Sequence, residues 1–341
     1  MEGALVSGIA DVAREAGVSK STASRALSGR GYVSEETRGR VVAAASAMGF
    51  VVSMNASSLV TGQTRNVGVV IPFLTRWFFS EVLEGIESAL IAAGYDLTLY
   101  RLSPKADQRR RVFDYFLVRK RVDAVIAVGI ALTPHEVEML KALGKPIVGI
   151  GGAIPGISTL SIDDAKVTCL ATEHVIGLGH RRIMHFGGDL QEQMDFHVHE
   201  RRHRGFREAM DAAGLPEGDD FRSSEFSIPG GYALALSVLA DPHTRPTAIV
   251  AGCDEVAIGA IIAARQLGIQ VPAQLSVIGI DDHNLSEMFG LTTLRQSPAN
   301  QGALAVGQIM RELGGEHGTR EASVVPVTMQ VRSSTTAPPA L

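Results

Sequence analysis

The sequence predicts an all-helical N-terminal domain followed by an α/β core of two doubly wound parallel-sheet lobes. Two observations support this division. In the first fifty residues, apolar side chains recur at helical spacing and small polar segments interrupt them. From residue 65 onward, short apolar runs alternate with amphipathic stretches, which is the pattern of βαβ units with buried strands. A chain of 341 residues is long enough to hold both parts.

Three short helices are predicted in the N-terminal domain. Apolar residues spaced for one face of the first helix are Ile9, Val12, Ala13 and Ala16. Gly17 follows, and it can adopt the positive φ angle that a tight turn between helices requires. A third helix begins after Ser34, and we expect it to turn Val41, Val42 and Ala45 inward.

The second helix carries polar and basic residues of the kind that contact DNA. Ser19 is a good N-cap for it, and its outer face carries Lys20, Ser21, Ser24 and Arg25. A short helix, a glycine turn and a helix with a polar, arginine-bearing face form the layout of a helix-turn-helix. A three-helix packing module with a basic surface is the alternative that these residues leave open.

Charge and composition exclude some classes of protein and do not by themselves favour DNA binding. The chain has 32 basic and 36 acidic residues, for a net charge of −4. No apolar run approaches the roughly 20 residues of a transmembrane helix, and the start lacks a secretory signal pattern. Cys169 and Cys253 lie far apart, so we expect free thiols and a cytoplasmic protein.

The segment IADVAREAGVSKSTASRAL closely resembles the opening of lactose-repressor (LacI/GalR) family regulators. The resemblance implies that Lys20, Ser21 and Arg25 read base edges, with Arg25 bidentate to a guanine. Further DNA-binding positions, in phosphate-contacting or packing roles, are Ser19, Thr22, Ser24 and Asn55.

Residues 54–64 resemble the hinge of the same family, which folds on the operator and inserts a leucine into the minor groove. Leu59 matches that leucine, which would kink the duplex by unstacking a base step. Val52 and Ser53 stand where Pro-Asn is usual, and Ser57 and Val60 replace frequent basic residues. The hinge should therefore contribute fewer phosphate contacts than is common in the family.

The resemblance continues in order through the core, in HVIGLGHRRIMHFGG, RRHRGFREAMDAAGL, LSVIGIDD and the ending VRSSTTAPP. It implies a homodimer with a periplasmic-binding-protein-like core that binds a small effector between the lobes. The expected domains are residues 1–53 for the helix-turn-helix, 54–64 for the hinge and 65–341 for the core. The N-lobe would comprise about 65–162 and 293–323, and the C-lobe about 163–292 and 324–341, with crossovers near 162, 292 and 323.

Ligands of parallel sheets bind beyond the carboxyl ends of the strands. This rule selects the segments PFLTRWFF, SIDDA, GGDLQEQ, CDEVA and IDDHN. No glycine fingerprint follows the first strand, so no nucleotide cofactor is predicted. Combined with the family resemblance, the predicted effector-binding residues are Arg76, Phe78, Asp163, Arg202, Phe226, Cys253 and Asp281.

Arg76 at the mouth of the expected site favours an acidic effector such as a sugar acid or sugar phosphate, with a neutral sugar or polyol as the alternative.

A second motif is His199-Glu200-Arg201-Arg202-His203, which matches the zinc-binding pattern HExxH. The adjacent arginines would repel Zn²⁺, so a hydrolase is disfavoured and no catalytic residue is predicted. A regulatory metal site at His197, His199 and His203 stays open as a lesser alternative, as does a solute-binding protein without a DNA role.

Overall fold

A computed structural model describes residues 8–28, 31–50, 63–102, 106–117, 122–191, 196–215, 218–316 and 321–339. The chain divides into two compact units, Met1–Arg65 and Asn66–Leu341. The first is helical and the second contains two mainly parallel sheets, which confirms the predicted fold class. In the part of the chain that is described, no helix is both long enough and apolar enough to cross a membrane.

The N-terminal unit contains three helices, α1 (Ile9–Glu15), α2 (Lys20–Ser28) and α3 (Glu35–Ala47). Gly17 forms the turn between α1 and α2 with a φ angle of +66°. The hydroxyls of Ser19 and Ser34 accept hydrogen bonds from the backbone N–H groups of Thr22 and Thr37, at 3.1 and 3.3 Å. These two serines therefore begin α2 and α3 by satisfying amides that lack a partner within the helix.

Small apolar side chains fill the interior of this helical unit. Val12 on α1, Ala23 on α2 and Val41 on α3 are fully buried. The expectation that Val42 also faces inward is wrong, because its side chain is 50% exposed. Successive helical residues point about 100° apart, so burying Val41 together with Ala45 turns Val42 toward solvent.

The first lobe of the core is a six-stranded parallel sheet in the order β11-β5-β4-β3-β1-β2. Its strands are β1 (Asn66–Ile71), β2 (Asp96–Arg101), β3 (Ala124–Val128), β4 (Ile147–Ile150), β5 (Ser158–Ser161) and β11 (Ala322–Val324). The connecting helices are α4 (Trp77–Ala92), α5 (Ala106–Arg111) and α6 (Pro134–Ala142), with a π-helical turn at Val112–Leu117 after α5.

The second lobe is a sheet in the order β12-β10-β9-β8-β6-β7, in which only β12 runs antiparallel to its neighbour. Its strands are β6 (Ile183–Gly187), β7 (Phe221–Ser223), β8 (Ala248–Ala251), β9 (Ser276–Asp281), β10 (Thr292–Arg295) and β12 (Thr328–Gln330). Its helices are α7 (Asp164–Gly177), α8 (Val198–Ala212), α9 (Ile228–Leu239) and α10 (Asp254–Gln266).

The chain passes between the two lobes three times. The first lies between β5 and α7. The second lies between β10 and α11 (Pro298–Leu313), because β10 pairs with β9 in the second lobe while α11 packs on α4 in the first. The third lies between β11 and β12. The second and third passages thus come a few residues after the expected positions 292 and 323.

Glycines allow helices α4 and α11 to pack in close contact. A β-carbon at Gly302 on α11 would overlap the carbonyl oxygen of Val82, and one at Gly85 on α4 would overlap the carbonyl oxygen of Ala299. The two helix backbones therefore touch at both positions. This contact fixes α11, which follows the second passage, against the first lobe.

We expect Gly302→Ala to lower the free energy of unfolding of the core by about 1–3 kcal/mol, because the added methyl group must displace backbone. Gly307 lies on the same helix in open surroundings, where the nearest heavy atom to an added β-carbon would be a guanidinium nitrogen of Arg311 at 3.8 Å. Gly307→Ala should therefore raise stability by up to about 1 kcal/mol through helix propensity. Urea unfolding of both variants checks this; equal destabilisation would contradict the close-packing account.

Candidate functional site

Helix α2 presents a polar face to solvent. Lys20, Ser21, Ser24 and Arg25 are exposed, whereas Ala23 on the opposite face is fully buried. The Nε atom of Arg25 donates to the carbonyl oxygen of Ser21 at 3.3 Å, which holds the base of this side chain along the helix. The structure thus brings together on one exposed face the residues that the sequence predicted to read base edges.

The N-terminus of α2 carries a cluster of hydroxyl groups. The Ser19 hydroxyl lies 2.9 Å from the Ser21 hydroxyl and 2.8 Å from that of Thr22, which is half-buried. Hydroxyls and amides at a helix N-terminus suit contacts with phosphate oxygens. The other two predicted DNA-contacting residues, Asn55 and Leu59, lie outside the described residues.

A second candidate site is the cleft between the two lobes of the core, which spans about 770 Å³ including the solvent at its mouth. Six of the seven predicted effector residues line it: Arg76, Phe78, Arg202, Phe226, Cys253 and Asp281. The cleft lies beyond the carboxyl ends of the strands, where the sheet rule had placed it.

The seventh predicted residue, Asp163, does not line the cleft. Its side chain is exposed and caps α7, accepting a hydrogen bond from the Lys166 backbone N–H at 3.1 Å. The carboxylate that faces the cleft belongs to the next residue, Asp164, which is 3% exposed. The N-cap residue lies outside the helix and turns its side chain back over the first turn, so the inward position falls to the residue after it.

The base of the cleft is a buried cluster of charged groups. The Asp164 carboxylate accepts hydrogen bonds from Arg201 Nη2 at 2.8 Å and from Arg202 Nε at 3.0 Å. Arg202 also donates through Nη1 to the carbonyl oxygen of Gly252, at the end of β8. Asp164 and Arg202 are both nearly inaccessible to solvent, so each depends on the other for compensation of its charge.

A second polar chain runs along the base from the second lobe to the first. Gln296 lies between the lobes and donates to the Asp281 carboxyl at 2.6 Å, while Gln301 on α11 donates to Gln296 at 3.1 Å. Burial raises the pKa of Asp281 above its usual range, and Arg202 acts in the opposite direction. Asp281 also adopts a φ angle of +128°, which is strained for a residue with a side chain.

Aromatic rings form the walls of the cleft. In the first lobe, Phe79 packs against Phe73 and Phe78, with ring centroids 5.5 and 5.3 Å apart. In the second lobe, the ring of His199 meets that of Phe226 edge to face at 4.4 Å. Burial lowers the pKa of His199 to about 4, so this imidazole is uncharged at neutral pH. Each lobe therefore contributes a largely apolar wall.

The mouth of the cleft has one charged group of each sign. The Arg76 guanidinium stacks over the Phe73 ring, 3.7 Å from its centroid. Across the cleft, burial raises the pKa of Glu255, and the positive charge of Arg76 partly offsets this effect. Arg76 therefore stacks on an aromatic face of its own lobe, while its charge, together with a backbone hydrogen bond from Trp77, offsets part of the rise in the pKa of a carboxyl group in the other lobe.

Two further aromatic contacts connect the lobes beside the cleft. The Trp77 ring at the start of α4 lies 4.9 Å from the ring of His283 in the second lobe. Phe196, from the second-lobe segment before α8, is buried in the first-lobe hydrophobic cluster, against Gly151 and Gly152. A β-carbon at Gly152 would overlap the Phe196 ring, so this contact requires glycine there.

The three histidines that could have formed a metal site have separate surroundings. His197 lies 3.4 Å from the Glu200 carboxylate, His199 packs on Phe226, and His203 meets the Phe221 ring at 4.6 Å. In the described ranges, no three His, Cys, Asp or Glu side chains are grouped so that they could hold a metal ion. Of the two histidines in the HExxH pattern, His199 therefore belongs to the wall of the cleft and His203 packs against Phe221 of β7.

Several residues of the cleft were not predicted individually: Phe73, Phe79, Asp164, His199, Glu255, Gln296 and Gln301. The rule about strand ends had already selected the segments that contain Phe73, Phe79, Asp164 and Glu255. Gln296 and Gln301 reach the cleft only because the second passage between the lobes follows β10. The positions of the passages depend on strand pairing, which the local sequence pattern did not reveal.

Comparison with known proteins places both parts of the chain. The family described as bacterial regulatory proteins, lacI family, matches residues 8–53, and the periplasmic binding protein-like domain matches residues 172–335. The chain is 31% identical over 335 residues to catabolite control protein A of Priestia megaterium, covering 96% of this chain and 98% of that protein. It is 32% identical to the transcriptional repressor PurR of Serratia proteamaculans, with 89% of each covered.

Solved structures agree with these relationships. The lac repressor dimer bound to operator and the anti-inducer ONPF matches with a TM-score of 0.86 and 24% identity, covering 98% of this chain and 100% of that one. The complex of the transcriptional regulator CelR with cellobiose matches with a TM-score of 0.70 and 25% identity, covering 96% and 99%. The first likeness supports the fold alone. Together with the sequence relatives and the exposed polar face of α2, these matches establish that the chain belongs to the LacI family of DNA-binding transcription regulators.

Proposed function

We propose that this regulator is a homodimeric repressor that binds a palindromic operator, and that a small molecule in the cleft controls its affinity for that operator. The observation that carries the proposal is the position of the cleft at the passages between the lobes. Asp164 follows the first passage and Gln296 lies on the second. A ligand that contacts both would act on the segments about which the lobes move.

The DNA-binding half of the proposal rests on α2. Lys20, Ser21 and Arg25 share its exposed face, and the second helix of a helix-turn-helix is the element that enters the major groove. A structural neighbour is a dimer on its operator, which supports two copies of α2 reading two half-sites. Similarity to PurR and catabolite control protein A supports regulation of transcription rather than catalysis.

Coupling between the sites requires that ligand binding favour one arrangement of the lobes. The Trp77–His283 and Phe196–Gly152 contacts join the lobes beside the cleft, so ligand binding and these contacts act on the same equilibrium between arrangements of the lobes.

DNA binding is tested by fluorescence anisotropy with the full chain and a palindromic duplex selected from a random pool, at several salt concentrations. We expect a linear log–log dependence of the binding constant on salt concentration, with a slope of several units.

Arg25→Ala should reduce the preference of the protein for its selected operator over random duplex by about 5- to 150-fold, the loss of one bidentate contact to a guanine. Non-specific binding should weaken much less. Arg14→Ala is a matched control, because Arg14 is an exposed arginine on α1 paired with Asp11. Competition titrations measure the preference; equal effects of the two variants would remove Arg25 from the base-reading role.

Leu59→Ala should weaken operator binding far more than binding to random duplex, since a minor-groove wedge repays its unstacking cost only on a specifically bent site. Val60→Ala, the neighbouring position, serves as the control. Circular-permutation gel shifts would report the bend directly, and the Leu59 variant should show a smaller bend. The wedge assignment fails if Leu59→Ala weakens binding to both kinds of DNA equally.

A further inference from the structure

We propose that the cleft accepts an uncharged aromatic ring compound bearing a hydroxyl group, in preference to a sugar acid, a sugar phosphate or a free sugar. This inference rests on the proposed function of the cleft as the effector site. It revises the preference for an acidic effector that Arg76 suggested from the sequence. Three features of the cleft lead to it: its walls, its supply of hydrogen-bonding groups and its balance of charge.

The walls suit a ring with two apolar faces. Three phenylalanines of the first lobe form a contiguous cluster, and Phe226 with the uncharged His199 forms the wall of the second lobe. Phenylalanine side chains offer a ligand only apolar contact and an aromatic face. An aromatic ligand gains from such contact over the whole of both faces, whereas a pyranose offers aromatic walls only the C–H patches between its hydroxyls.

Few hydrogen-bonding groups at the base are left for a ligand. Two of the three guanidinium nitrogens of Arg202 are engaged by Asp164 and Gly252, and one oxygen of Asp281 is engaged by Gln296. At the base, the remaining nitrogen of Arg202 and the second oxygen of Asp281 suit one or two polar groups on a ligand. The several hydroxyls of a hexose would have to share these atoms or displace the internal partners, and a buried hydroxyl without a partner is unfavourable.

The cations around the cleft already have partners. Arg201 and Arg202 both donate to the Asp164 carboxylate, and the Arg76 guanidinium stacks over the Phe73 ring. Burial raises the pKa of Asp281, which favours its neutral form, so this carboxyl group does not serve as a further counter-charge. A carboxylate or phosphate ligand would have to compete with Asp164 for Arg202, so an uncharged ligand fits best.

The test is isothermal titration calorimetry on the full chain without DNA, using probes that differ in one property. The aromatic pair is 4-hydroxybenzyl alcohol and 4-hydroxybenzoate, and the sugar set is D-glucose, D-gluconate and glucose 6-phosphate. We expect the aromatic alcohol to bind with a Kd of about 1 mM or tighter. It should bind at least about tenfold more tightly than its carboxylate and than every sugar probe.

Phe226→Ala should weaken binding of the aromatic alcohol by about tenfold, the loss of one aromatic contact. Phe226→Leu, which keeps apolar volume, should weaken it less and serves if the alanine variant folds poorly. Phe221→Ala is the matched control, because Phe221 lies in the same lobe and packs on His203 outside the cleft lining. It should bind the alcohol as the unmodified protein does.

The inference is overturned if gluconate, glucose 6-phosphate or glucose binds as tightly as the aromatic alcohol, if the alcohol gives no binding heat, or if Phe226→Ala binds it unchanged. These outcomes are distinct from failure of the proposed function. If the alcohol binds and leaves operator affinity unchanged, the ligand class stands and the regulatory role fails. If a sugar acid alters operator affinity, the regulatory role stands and the ligand class fails.

Discussion

The cleft depends on a guanidinium that has to be compensated before any ligand binds. Arg202 is buried at its base, and leaving such a charge without a partner would cost about 3–5 kcal/mol. Asp164 supplies the compensation from the first turn of α7, and the Gly252 carbonyl supplies a second acceptor at the end of β8. One ion pair thus ties α7, α8 and β8 together and also limits what the cleft can bind, because its strongest cation is already occupied.

The same constraint links the cleft to movement of the lobes. Asp164 follows the first passage between them, and the Asp281–Gln296–Gln301 chain runs along the second. The base of the cleft is therefore built from the segments about which the lobes would turn. Aromatic contacts of Trp77 and Phe196 join the lobes at the sides. Ligand contacts with the base and walls would add to these contacts. Binding in the cleft would therefore favour one arrangement of the lobes and, through it, one geometry of the dimer.

Much of the fold could be predicted from local pattern. The short apolar runs after residue 65 correspond to strands that include β1, β3, β6 and β9, and the serine caps and the Gly17 turn of the helical unit lie at the predicted positions. The short strands β7, β10, β11 and β12 were not predicted, because strands this short are set largely by their neighbours in the sheet. That is also why the second passage was placed too early and Gln296 was missed. The prediction named Asp163 rather than Asp164, because the family resemblance locates the segment at the cleft but does not determine which of its side chains points inward.

The central claim is that occupancy of the cleft and binding to the operator are linked, and reciprocity tests it most directly. Operator affinity is measured with and without saturating ligand, and ligand affinity is measured by calorimetry with and without saturating operator duplex. The account predicts that both affinities change by the same factor, about 5- to 150-fold, since one coupling free energy governs both. If both partners bind and the ligand affinity is the same with and without the operator, the two sites are independent and the account is contradicted.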